Sequence, residues 1–121
     1  MRINVLIDGM KKFARINTCK VSVDDVFKAL ESMDIPIALE AVADSDDCII
    51  LDKDFDFMFS IPPSLFATIS QSDLIRNGWI SIQDKVSMIG PLQLASLIEE
   101  NEDPVILEAS ANNGMIILFL K

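Results

Sequence analysis

One apolar stripe, fenced at both ends, constrains this chain more than any other feature. Val23, Val26, Phe27, Leu30 and Met33 recur at intervals of three and four, the period that gathers side chains on one face of an α-helix. Ser22 precedes them as a capping residue, and Asp25 stands where a capping box has Glu or Gln. Asp24 and Asp25 occupy the first turn, where the helix dipole favours negative charge, and Pro36 prevents continuation. An amphipathic helix this short is unstable alone and needs an apolar surface to lie on.

Short strands on either side supply that surface. Residues 2–7 and 10–16 flank Asp8-Gly9, a dipeptide suited to a two-residue hairpin turn because Gly tolerates positive φ. Residues 37–43 predict a strand with Glu40 on its polar face. Residues 48–51 and 55–61 predict two more, joined through Asp52-Lys53-Asp54, with Phe55, Phe57 and Phe59 facing the core and Asp54 and Asp56 facing solvent. Pro62-Pro63 ends that pair. One or two short helices are expected over 63–77, with Gly78 as C-terminal cap. Residues 79–82 and 86–89 predict a small hairpin around Gln83-Asp84-Lys85. Gly90-Pro91 opens a further helix, with Pro91 at its first position and Leu94, Leu97 and Ile98 toward the core. A closing hairpin is expected from residues 105–110 and 115–120. The unbroken run Met115-Ile116-Ile117-Leu118-Phe119-Leu120 suggests a strand buried on both faces, hence central. The expected fold is α+β: a single domain over residues 1–121, with a mostly antiparallel sheet built from hairpins and two or three helices packed on it.

A chain of 121 residues has room for one such domain and enough core to need no disulfide or metal staple. Cys19 and Cys48 therefore read as small hydrophobes near strands, in keeping with a reducing cytoplasm, and their spacing asks for no pairing. No apolar run approaches the length of a membrane span, and the N-terminus does not read as a signal peptide.

Charge narrows function more than fold. Ten Lys and Arg against 19 Asp and Glu give −9, a field that repels nucleic acid. The absence of His removes the commonest general base and metal ligand. Two Cys alone make no metal site. Asp52-Lys53-Asp54-Phe55-Asp56 opens like an EF-hand loop, yet the sixth and twelfth positions hold Phe57 and Pro63 in place of Gly and Glu. A carboxylate-dependent or metal-dependent hydrolase is the weakest reading: no Tyr and a single Trp, Trp79, leave little for a sugar to stack on. Trp79 itself reads as packing, with an exposed binding anchor as the alternative. Arg2, Lys11, Lys12, Arg15 and Lys20 read as a solvated hairpin that protects a sheet edge.

The acid is concentrated. Residues 34–56 hold eight acids against Lys53 alone, a net of −7 within the total of −9. A second group, Glu99, Glu100, Glu102 and Asp103, follows the later helix, where the dipole makes negative charge mildly unfavourable. The expected partner surface is Asp44, Asp46, Asp47, Asp52, Asp54 and Asp56, extended by Glu99, Glu100, Glu102 and Asp103, with a solubility role as the plain alternative. The expected function is a cytoplasmic, non-catalytic, cofactor-free protein that neutralises a basic protein partner. By electrostatic analogy this is an immunity protein, or antitoxin, covering the positively charged cleft of a nuclease-type toxin. A small acidic chaperone or adaptor binding a partner segment is the alternative.

Overall fold

The computed structural model describes residues 10–39, 47–98, 103 and 105–109. The fold is α+β, as expected, and its packing falls into two compact units that divide between Gln83 and Asp84.

The first unit holds a five-stranded sheet of β1 (Lys12–Ile16), β2 (Ile37–Ala38), β3 (Ile49–Leu51), β4 (Met58–Ile61) and β5 (Ile80–Ile82), in the order β2-β3-β4-β1-β5. The β1–β4, β1–β5 and β3–β4 ladders are antiparallel and β2–β3 is parallel. Strand pleating sorts the side chains into two faces. Ala14, Ile16, Ile49, Phe59, Ile61 and Ile80 share one face and form a single buried cluster with Val26, Leu30, Ile69 and Leu74 from the helices. Phe13, Arg15, Met58 and Ser81 share the other.

Three helices complete the first unit: α1 (Val23–Ser32), α2 (Pro63–Ser70) and α3 (Asp73–Arg76). The stripe behaves as its spacing predicts. Ser22 caps α1, its side chain accepting from the Asp25 amide at 3.1 Å; Val26 and Leu30 are buried, and Val23, Phe27 and Met33 pack against the cluster. Pro63 is the first residue of α2.

Helices α1 and α3 stop in the same way. The amide of Gly78 donates to Ile75 O at 3.0 Å and that of Trp79 to Leu74 O at 2.9 Å. In α1 the amide of Asp34 donates to Glu31 O at 3.0 Å and that of Ile35 to Leu30 O at 3.2 Å. Both are Schellman motifs, which require left-handed backbone at the residue after the cap. Gly78 has φ 68° and Asp34 has φ 58°. Only the glycine adopts this conformation without steric penalty, so opposite substitutions should have opposite signs. Gly78→Ala should destabilise the protein by about 1–2 kcal/mol, and Asp34→Gly should stabilise it by about 0.5–1 kcal/mol, both measured by chemical denaturation.

Several expectations are corrected. The strand expected at 55–61 begins only at Met58; Phe55 and Phe57 lie in the preceding loop, their rings stacked with centroids 5.6 Å apart. The strand expected at 37–43 is regular only over Ile37–Ala38, after which Leu39 is exposed. Residues 86–88 form a 3-10 turn and no strand, and β5 pairs with the distant β1. Nor is β1 a sheet edge, since β4 and β5 flank it.

In the second unit α4 (Ile89–Ile98) follows the 3-10 turn, so Pro91 is its third residue. Pro91 is buried, whereas Leu94 and Leu97, expected in the core, are exposed, Leu97 by 66 %. Residues 105–108 have no regular structure, against the strand expected there. The hairpin turn at Asp8-Gly9, Glu40 and the run 115–120 lie outside the described residues.

Candidate functional site

The described acidic residues of the stretch 34–56 do not share one place. β3 separates Asp47, just before it, from the loop of residues 52–57 after it. At about 3.3 Å per residue the two ends are roughly 15 Å apart. Asp34 precedes β2, which runs parallel to β3, and so belongs at the Asp47 end of the sheet. Asp103 is exposed in the second unit. Asp44, Asp46, Glu99, Glu100 and Glu102 lie outside the described residues.

Within the β3–β4 loop the three aspartates differ. Asp52 shapes the turn: its Oδ1 accepts from the amides of Asp54 at 2.8 Å and Phe55 at 3.0 Å. This is the local bonding that suits Asp to turns. The loop is closed by the amide of Asp52 donating to Met58 O and by that of Met58 donating to Phe55 O. Asp54 and Asp56 are exposed. Among the described residues no three acidic or cysteine side chains gather as metal ligands would.

Neither cysteine is in a disulfide. Cys19 is exposed in the turn after β1, and Cys48 is buried just before β3. No described helix is long and apolar enough to cross a membrane.

Arg15 departs most from the sequence reading. It is only 4 % exposed, and its Nε donates to Gln83 Oε1 at 2.8 Å. Burial pushes its pKa down, and the nearby Cys19 partly offsets this. The cause of burial is topological: a residue expected on a solvated hairpin sits in a strand paired on both sides, directly opposite Met58 and Ser81. Lys12 behaves differently, its Nζ lying 4.0 Å from the centre of the Phe66 ring.

A cleft of about 520 Å³ opens between the last turn of α1 and the α2–α3 junction. Trp79, Met33, Leu74 and Ala29 supply apolar lining; Gln71, Asp73, Arg76 and Asn77 supply polar groups. Trp79 packs against the core cluster, is partly buried, and lines this cleft. Sequence reasoning missed the cleft because its walls come from segments some forty residues apart. The one local signal was Gly78-Trp79, a helix stop followed at once by the chain's single tryptophan. Comparison of the chain with protein-family models, with curated proteins and with solved structures gave no match to any of them.

Proposed function

We propose that this is a non-catalytic, cytoplasmic binding protein that docks through its carboxylates on a basic protein, in the manner of an immunity protein covering a nuclease-type toxin. The observation that supports this is the β3–β4 loop, which concentrates three aspartates in one turn shaped by Asp52. Asp54 and Asp56 stand exposed beside it, in a chain of net charge −9. Exposed charge of one sign steers a basic partner into encounter, raising association above the roughly 10⁵–10⁶ M⁻¹s⁻¹ of unsteered pairs.

The test is association kinetics across a salt series with the partner cross-linked in the native lysate. Asp54 and Asp56 are changed together to Asn, and Asp52 is left in place to preserve the turn. The double variant should keep its thermal stability and associate about tenfold more slowly at low salt, the difference closing as salt rises. A partner that is not basic, or wild-type association indifferent to salt, refutes the proposal.

The apolar surface of α4 favours a second reading, an adaptor that binds a partner segment. Ile89, Leu94 and Leu97 on the helix, with Val105 and Leu107 beyond it, are all exposed. Exposed apolar residues mark an interaction surface where they form one contiguous patch. On this reading Leu97→Ser weakens binding and the Asp54/Asp56 variant does not.

A further inference from the structure

Three helix ends meet at the cleft. Its lining includes Met33, Gln71 and Asn77, the C-caps of α1, α2 and α3. A helix C-terminus carries partial negative charge, and a basic residue in the last turn normally offsets it. Neither α1 nor α2 has one there, whereas α3 has Arg76, and Lys20 Nζ stands beside Gly78 at its end. Trp79 lines the same cleft, and an indole ring attracts a cation to its face. Asp73 adds a carboxylate. The lining holds one cation, Arg76, whose Nη1 is 3.5 Å from Asp73 Oδ1, with the two side chains 72 % and 83 % exposed. Ion pairs this exposed are weak and exchange readily. The cleft is open to solvent, and its volume falls in the range of small-ligand clefts.

We propose that this cleft receives an arginine or lysine side chain from a polypeptide partner. The cationic head lies among the helix C-termini and Asp73, and the stem lies along Trp79. The proposal rests on the reading of the partner as a basic protein and supplies the pocket that anchors it. The acidic loop governs how fast such a partner arrives; the cleft governs how long it stays.

Trp79 is the chain's only tryptophan, so tryptophan fluorescence reports on the surroundings of one residue, which lines the cleft. The experiment titrates the full chain with a hexa-arginine peptide, following fluorescence and calorimetry together, with a hexaglutamate peptide as the anionic control. The fluorescence of Trp79 should change saturably with hexa-arginine and not with hexaglutamate. Asp73→Asn should weaken the fluorescence-detected binding by about three- to tenfold. Arg76→Gln should tighten it by about threefold, because the competing cation is gone. The Asp54→Asn, Asp56→Asn variant should still reach the full fluorescence change. Calorimetric binding without a Trp79 response overturns the cleft while leaving the acidic loop as the docking surface. Reversed signs for the Asp73 and Arg76 variants, with hexaglutamate binding, overturn it in favour of an anion site. Absence of binding by both methods overturns it together with the basic-partner reading.

Discussion

Phe59→Ala should lower the free energy of unfolding by about 3–5 kcal/mol, the range for truncating a fully buried aromatic residue. Phe59 has no exposed surface and lies in β4, which is paired on one side with β3 and on the other with β1. Its direct neighbours across the two ladders are Leu51 and Ala14. Strands paired on both sides have little freedom to collapse into the space that a lost ring leaves, so the cavity term adds to the lost transfer term. Phe57→Ala is the internal control. Phe57 is only partly buried and lies in the loop, so its loss should cost less than half as much. Chemical denaturation of the two variants decides: equal costs would place Phe57 in the core beside Phe59, as strict strand alternation predicts.

Arg15→Ala should cost about 3 kcal/mol, a value unlike that of a surface arginine. The substitution takes the Nε donor from Gln83, leaving a buried carboxamide oxygen short of its bond. It also removes an aliphatic stem from between Met58 and Ser81. The two contributions separate by design. Arg15→Met keeps much of the stem and still strands Gln83, so it should recover only part of the loss. Arg15→Met with Gln83→Leu removes both polar partners and should recover most of it, because a buried polar pair replaced together costs far less than one broken. A double-mutant cycle by denaturation measures this directly. If Arg15→Ala proves nearly neutral, the guanidinium is solvated and the strand is the exposed hairpin arm that the sequence suggests.

The sequence by itself determined what depends on near neighbours along the chain. The limits of α1 follow from Ser22, from the spacing of Val23 to Met33 and from the chain's exit at Pro36, because capping and amphipathic spacing are interactions over three or four residues. The stop at Gly78 and the helical start at Pro63 are of the same kind. So is the turn-forming role of Asp52, whose partners are two and three residues away. The α+β class follows in turn, since short apolar runs between such signals leave few other arrangements.

Only the tertiary structure decided which strands meet. β1 pairs with β4 and β5, more than forty and sixty residues onward, and nothing in the local pattern of residues 12–16 encodes that choice. From this pairing follows the burial of Arg15, whose type alone predicts exposure. The same holds for the acids. Charge counted along residues 34–56 forms one stretch, but β3 carries Asp47 to one end of the sheet and Asp52, Asp54 and Asp56 to the other. The cleft belongs here too, for its walls come from segments some forty residues apart in sequence. Local order is written in contacts over a few residues; strand partners, faces and pockets depend on which distant apolar surfaces bury one another best.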